Sequence, residues 1–269
     1  MSQSKKQQRG NAGDISTRSS HGTYRAQSSI TGKFKSHSKL TGQSSTSTYI
    51  AQAAASLVDR SKIIEVETIN IDALPKRPFY HFVKRVFDVV SCGAALILLS
   101  PLILLAAGIV KLDSSGPVFY SQERLGKNGK PFMLYKFRSM RVDAEAEGAQ
   151  WASDNDPRVT RVGAILRKSR FDEIPQFWNV VKGDMSLIGP RPERAVFYHE
   201  FEKYIHGFHQ RLLVKPGITG LAQVSGGYDL KPAEKILYDI DYIKNQSVMM
   251  DLTVIIKTFG VLFSHKGAR

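Results

Sequence analysis

Val89-Val-Ser-Cys-Gly-Ala-Ala-Leu-Ile-Leu-Leu-Ser-Pro-Leu-Ile-Leu-Leu-Ala-Ala-Gly-Ile-Val110 runs for 22 residues without a charge. As one helix it would match a hydrocarbon core of about 30 Å. A plain transmembrane helix is therefore one reading. Two features oppose it. Ser100-Pro101 lies at the centre, where proline removes a backbone hydrogen bond and clashes with the carbonyl four residues back. Ser100 can help satisfy the freed group. The flanks carry positive charge on both sides: Lys84 and Arg85 before, Lys111, Arg124, Lys127 and Lys130 after. The positive-inside rule keeps both ends on the cytoplasmic side. The pattern predicts a re-entrant helix–break–helix hairpin over about residues 84–111, broken at Ser100 and Pro101.

Upstream the chain changes character. Residues 1–56 contain 19 Ser or Thr and almost no large apolar side chain. Such a segment cannot bury enough surface to offset its ordering entropy, so a disordered polar, basic tail is expected. No apolar secretory signal follows Met1. Residues 57–79 read as a linker with some extended character, and residues 80–269 as the folded domain. The formal net charge is +14, with +8 of it in residues 1–88. That balance suits nucleic acid, an anionic membrane surface or phosphorylated substrates. The apolar segment favours the last two, and no nucleic-acid-binding motif is present. Cys92 is the only cysteine, which excludes a disulfide framework and a cysteine-based zinc site. His206 and His209 suit an interfacial or solvated helix face better than a metal.

Downstream, residues 112–269 read as a cytoplasmic part. Pro117–Gln122 and Phe132–Met140 predict two strands joined at a Gly126–Pro131 turn. In the second strand Lys136 and Arg138 share a face, as residues two apart do. Two cations on one face suit a phosphate pair or a solvated sheet. Residues 158–170 predict a basic helix with Val159, Val162, Ile165 and Leu166 on one stripe, as an interfacial helix needs. Residues 233–245 and 250–263 predict two more, the second very apolar. The fold class expected is α/β and mostly helical: a membrane-associated domain with one small β-hairpin and interfacial amphipathic helices.

Arg170-Phe-Asp-Glu-Ile-Pro-Gln-Phe-Trp-Asn-Val-Val-Lys-Gly-Asp-Met-Ser-Leu-Ile-Gly-Pro-Arg-Pro-Glu193 carries the candidate chemistry. Asp172 is placed to cap a helix, with Pro175 in its first turn and Gly183 as its stop. Phe177, Trp178 and Val181 are available for packing. Asp172 and Glu173 are then adjacent carboxylates at a helix N-terminus, and Arg191 is a guanidinium in a stiff Gly-Pro-Arg-Pro turn. Ordinary capping explains an Asp-Glu pair equally well. Carboxylates with a fixed arginine suit Mg²⁺ and phosphate.

Taken together, the motifs resemble the bacterial sugar transferase family of monotopic polyprenyl-phosphate phosphoglycosyltransferases. The resemblance covers roughly residues 80–269. It rests on Lys84-Arg-Val-Phe-Asp88, the apolar segment with its central Ser-Pro, Gly116-Pro-Val-Phe-Tyr-Ser-Gln-Glu-Arg-Leu-Gly126, Tyr135-Lys-Phe-Arg-Ser-Met140 and Asp156-Pro-Arg-Val-Thr-Arg-Val-Gly163. It continues through the Asp172 motif, Gly183–Pro192, Val214–Val224 and Tyr238-Asp-Ile-Asp-Tyr-Ile-Lys-Asn. Gly189–Phe197 and the ending Gly267-Ala-Arg are most similar to the exopolysaccharide-initiating branch. Many members of that branch carry an N-terminal bundle of transmembrane helices. Residues 1–80 contain none, so the chain reads as a short form. Leu221 stands where many members have Trp, a difference that bears on local packing or lipid contact.

The resemblance implies an enzyme that moves a sugar 1-phosphate from a UDP-sugar to polyprenyl (undecaprenyl) phosphate, releasing UMP. It implies Asp172 as the nucleophile of a covalent phosphosugar intermediate, with Mg²⁺ required and held by Glu173 and Asp172. It ties Lys136 and Asp239 to activity, and places Arg138, Arg191 and Pro192 in motifs suited to phosphate or nucleotide contacts. Glucose, galactose and N-acetylhexosamines are all compatible sugars. The implied location is the bacterial inner membrane, with the catalytic part on its cytoplasmic face; a homo-oligomer is compatible with this. The competing functions are an inactive family member that scaffolds other glycan enzymes, and a basic nucleic-acid binder, which the apolar segment disfavours.

Overall fold

A computed structural model describes residue 58 and residues 61–146, 156–226 and 230–264. The tail expected over residues 1–56 lies outside the described residues.

The apolar segment forms two helices, α1 (Pro78–Leu98) and α2 (Ser100–Asp113), bent by 61° at the break. The bend falls where proline chemistry puts it. Pro101 cannot donate to the Ile97 carbonyl, and Ser100 Oγ donates to that oxygen instead, at 2.7 Å. No single helix among the described residues is long and apolar enough to cross a membrane; the bent pair passes only together. One side of the pair is packed. Cys92 clusters with Phe132, Leu134, Val180 and Met185, and burial pushes its thiol up to about 12. Ala106 and Val110 cluster with Phe137 and Leu166. The other side is bare: Ile97, Leu98, Leu104 and Leu105 are all exposed.

The expected β-hairpin is present. β2 (Phe119–Leu125) pairs antiparallel with β3 (Pro131–Phe137), from Phe119 opposite Phe137 to Leu125 opposite Pro131. The bonds along β3 are completed by a side chain. Asn179, fully buried, accepts from Tyr135 N at 3.1 Å and donates to the Met133 carbonyl at 2.7 Å. Asn179 lies in α4 (Gln176–Lys182), so it fixes the distance from β3 to the segment that carries the acidic pair. α3 (Arg161–Lys168) starts at a Thr160 cap and is shorter than expected. Ile165 on its stripe is exposed, and Leu166 is buried.

Two short parallel pairs were not foreseen. The first joins β4 (Ser186–Ile188) to β6 (Gly217–Thr219). A Cβ on Gly217 would lie 2.1 Å from Gly189 N, so this crossing requires glycine. The second joins β1 (Ile64–Glu65) to β5 (Ile205–His206). It draws residues 64–69 of the linker expected over residues 57–79 onto the domain. Val66 and Ile69 are buried, and Ile69 N donates to Gln210 Oε1, so this part belongs to the domain. His206 and His209 do not share a helix face: His206 lies in β5 against Glu65, and His209 lies in a 3-10 turn against Glu202.

The rest is helical: α5 (Ala195–Glu202), α6 (Leu221–Ser225), α7 (Pro232–Lys244) and α8 (Val248–Ser264). Leu221 is buried in a cluster with Ile188, Tyr242 and Val254. Asp251 ties α8 to α1 and α7. It accepts from Tyr80 Oη and Tyr242 Oη at 2.9 Å each, and from Lys84 Nζ at 2.8 Å.

Candidate active site

The acidic pair does not cap a helix. Asp172 and Glu173 lie in a 3-10 turn, Phe171–Glu173, and α4 begins only at Gln176, with Pro175 as its N-cap residue. The reason lies one residue upstream. Arg170 adopts a left-handed conformation at φ 56, which turns the chain sharply out of α3. Phe171 packs with Phe137, Gln176 is buried, and the chain enters α4 only after Pro175. Gly183 does stop the helix, at φ 101. Phe177 and Val181 pack on the Cys92 cluster; Trp178 remains 54% exposed.

The two carboxylates have opposite environments. Glu173 is locked. Lys136 Nζ donates to its Oε1 at 3.0 Å, and Arg191 grips both oxygens with its two terminal nitrogens. Burial pushes the Glu173 carboxyl up, but Arg191 and Lys136 outweigh it and hold the group well below the usual carboxylate range. Asp172 is 6% exposed and accepts no hydrogen bond from the described residues. Lys136 Nζ stands 3.9 Å from its Oδ2. Burial raises its carboxyl above the ordinary value, Lys136 opposes, and the charge of Glu173 adds to the rise.

Lys136, Asp172, Glu173 and Arg191 are thus brought together as the sequence suggests. Arg138 is not. β3 ends at Phe137, and the Arg138 guanidinium donates to the Ser114 carbonyl (2.7 Å) and Ser114 Oγ (2.8 Å) at the end of α2. Lys136 and Arg138 therefore do not form a shared cationic face. Pro192 contributes its carbonyl, which accepts from Arg124 at 3.2 Å; Arg124 also pairs with Glu193. Asp239 does not touch the carboxylates. It is buried against Arg211 at 2.6 Å, and Arg211 donates to the Arg191 carbonyl at 2.9 Å. Arg124, Asn179 and Arg211 were missed in the sequence. Arg124 and Asn179 lie inside the quoted motifs, which is the available signal; Arg211 lies outside them.

Beside the pair lies a cavity of about 360 Å³. Its lining combines Glu173, Arg191, Arg211 and Lys235 with Phe177, Leu187, Ile218, Ile255, Phe259 and Leu262. Asp172 is not in its wall. Magnesium binds through one or two carboxylates, with substrate phosphates and water completing its shell. Asp172, which accepts no hydrogen bond from the described residues, and the adjacent Glu173 fit that donor set. Among the described residues no cluster of three or more acidic, His or Cys side chains could hold a metal alone.

A buried acidic pair clamped by a lysine and an arginine, beside a cavity with both cationic and apolar lining, suits phosphate chemistry. Residues 79–265 match the model of the bacterial sugar transferase family, and the chain belongs to that family. It is 45% identical over 224 residues to the UDP-N-acetylgalactosamine-undecaprenyl-phosphate N-acetylgalactosaminephosphotransferase of Aeromonas hydrophila, covering 82% of this chain and 53% of that protein. It is 43% identical to the exopolysaccharide production protein PSS of Rhizobium leguminosarum bv. phaseoli, over 67% of this chain and 94% of that one. The UDP-glucose:undecaprenyl-phosphate glucose-1-phosphate transferase of Klebsiella pneumoniae is 40% identical over 77% of this chain and 47% of its own length. The chain thus spans about half the length of two of these three relatives.

Proposed function

We propose that this chain transfers a sugar 1-phosphate from a UDP-sugar to polyprenyl (undecaprenyl) phosphate, the first membrane step of exopolysaccharide or related glycan assembly. The observation that carries this reading is the asymmetry of the pair. Glu173 is immobilised by Lys136 and Arg191, while Asp172 is buried, accepts no hydrogen bond from the described residues and has Lys136 Nζ no nearer than 3.9 Å. A desolvated, uncommitted carboxylate is a competent nucleophile.

In this mechanism an Asp172 oxygen attacks the sugar-bearing phosphorus. The bond from that phosphorus to the bridging oxygen breaks, and UMP leaves with the electron pair. The enzyme then carries a phosphosugar on Asp172. A phosphate oxygen of the polyprenyl phosphate attacks the same phosphorus, and the carboxylate leaves. A phosphoanhydride is exchanged for an acyl phosphate and the acyl phosphate for a new phosphoanhydride, with no redox change. Lys136 and Arg191 face the developing charge. Mg²⁺, held by Asp172 and Glu173 with substrate phosphates, would screen the diphosphate. The cavity suits the acceptor: its apolar side chains, Ile255, Phe259 and Leu262 of α8 among them, would take isoprene units, and its cations would take the phosphate.

The bent helix pair enters one leaflet and returns. Val89–Leu98 and Ser100–Val110 each extend about 15 Å as helix, half of a hydrocarbon core. Their exposed side chains each gain about 1.5–3 kcal/mol on leaving water. The catalytic part then sits on the cytoplasmic face of the inner membrane, where UDP-sugars are found. The relatives named above act on different sugars, so the donor is tested as a panel. Detergent-solubilised protein with undecaprenyl phosphate, Mg²⁺ and UDP-glucose, UDP-galactose or UDP-N-acetylhexosamines should release UMP with at least one donor. UMP release from none of them would contradict the proposal.

A further inference from the structure

A second cavity, of about 210 Å³, lies at the foot of the helix pair. His81, Lys84, Arg85 and Asp88 line it from α1, at spacings that place them on one helix face. Lys127 of the hairpin turn, Ser186 of β4 and Lys215 before β6 close it. Three of the charged groups are committed. Lys84 pairs with Asp251 at 2.8 Å. Arg85 donates to the Val180 and Val181 carbonyls at 2.6 and 2.9 Å. Asp88 accepts from Leu187 N at 3.0 Å.

The remaining cations are not. Among the described residues the ammonium groups of Lys127 and Lys215 have neither an ion-pair partner nor a hydrogen-bond acceptor. Arg85 offsets Asp88, and Asp251 offsets Lys84, so the cavity retains the positive charge of Lys127 and Lys215. Lys215 is held below its ordinary value by burial and then by Arg85, and His81 by burial and then by Lys127. An anion would relieve both. A further observation points to a ligand. Ser186 is 2% exposed, and its Oγ has no hydrogen-bond partner, which is unusual for a buried hydroxyl.

We propose that this cavity binds the phosphate of an anionic lipid headgroup, separately from the site of sugar-phosphate transfer. A phosphate suits the chemistry because lysines bind it as point charges and a serine hydroxyl can donate to it. The lipid source follows from position and rests on the membrane reading above. Lys84 and Arg85 precede Val89 by about 6–8 Å of helix, which is headgroup depth once Val89 marks the apolar boundary. Phe79, Phe82, Val86 and Phe87, on the same stretch of α1, are exposed, as interfacial side chains are. The lipid phosphate would bridge α1, the hairpin turn and the segment leading to Gly217, and so anchor the catalytic part at the bilayer.

The test uses the full chain in nanodiscs of phosphatidylcholine alone or with phosphatidylglycerol. A brief pulse of an amine-acylating reagent is read lysine by lysine by peptide mass spectrometry. At saturating phosphatidylglycerol, Lys215 should be modified about tenfold more slowly than in phosphatidylcholine alone. Lys182, half-exposed beside Asp184, is the control and should not change. Lys127→Gln/Lys215→Gln should incorporate into discs with unchanged circular dichroism and lose the phosphatidylglycerol that the wild type retains in native mass spectrometry. Equal Lys215 rates in the two discs would overturn the site. Protection by millimolar inorganic phosphate but not by phosphatidylglycerol would overturn the lipid assignment. Failure to enter discs at all would instead overturn the membrane reading on which the inference rests.

Discussion

Arg211 Nε lies 2.6 Å from Asp239 Oδ2, and the same guanidinium donates to the Arg191 carbonyl at 2.9 Å. Arg211 also stacks over Phe208, 4.9 Å from the ring centre. Both charges are almost wholly buried. The pair therefore fixes the backbone that carries the Arg191 guanidinium to Glu173. Asp239 reaches the carboxylates only through Arg211 and Arg191, the place of a positioning residue.

Asp239→Asn leaves the Arg211 charge buried without a counter-charge. Breaking a buried pair in this way costs about 3–5 kcal/mol, a drop in melting temperature on the order of 10 °C. Activity should fall about 10–100-fold through misplacement of Arg191. Asp239→Glu should recover part of the rate. Thermal denaturation and UMP release on the two variants check this.

Where local rules govern, the fold is legible in the sequence. The Ser100-Pro101 break, the Gly183 stop, the β2–β3 hairpin, α7 and α8 all follow from proline and glycine chemistry or from hydrophobic period. The acidic pair, Lys136 and Arg191 were found, but their geometry was not. A helix start at Asp172 was the natural expectation; the left-handed Arg170 and Pro175 instead open a 3-10 turn. The strand whose face would carry Arg138 ends one residue earlier, at Phe137. The pairings of Ile64 with Ile205 and of Ser186 with Gly217 join segments far apart in sequence, and two- or three-residue strands leave no periodic signal. Arg211 and Asn179 act through buried contacts that only the folded chain creates.

The pH dependence should follow the asymmetry of the pair. Asp172 must be ionised to attack, and its carboxyl is raised. The acid limb of kcat/KM should therefore lie above the ordinary carboxylate range, with activity rising as pH rises through it. Glu173, held low, stays charged across that window. Glu173→Gln removes a like charge and frees Lys136, so the limb should move to lower pH even as the maximal rate falls.

The same shifts have stability consequences of opposite sign. The raised Asp172 disfavours the folded state once pH exceeds the unfolded pKa, and most above the folded one. The lowered Glu173 adds stability above its unfolded pKa and loses it as pH falls through its folded pKa. Asp172→Asn should therefore melt higher than wild type at pH 7, with the difference shrinking toward pH 4. Glu173→Gln should melt lower at pH 7. Calorimetry across that range decides both.

The first 56 residues should be dispensable for chemistry, whereas the next stretch should be needed for stability. Deleting residues 1–56 should leave UMP release within about twofold of wild type. Deleting residues 1–70 removes the buried Val66 and Ile69 and the bond from Ile69 to Gln210. That truncation should lower the melting temperature by several degrees, about 1–3 kcal/mol.

Pro101→Leu restores the missing N–H and removes the clash with the Ile97 carbonyl. The helix pair should straighten and favour a spanning orientation. Cysteines placed on either flank of the wild type should resist a membrane-impermeant thiol reagent applied from outside the cell. In Pro101→Leu one flank should become labelled. Labelling of one flank in the wild type would contradict the re-entrant hairpin.

The most direct measurement gives the purified protein a UDP-sugar and Mg²⁺ without any lipid acceptor. The account expects a burst of UMP equal to the enzyme present, and a phosphosugar adduct on the peptide containing Asp172. Asp172→Asn should show neither, and later addition of undecaprenyl phosphate should discharge the wild-type adduct. Absence of both burst and adduct, with UMP appearing only once both substrates are bound, would contradict Asp172 as the nucleophile.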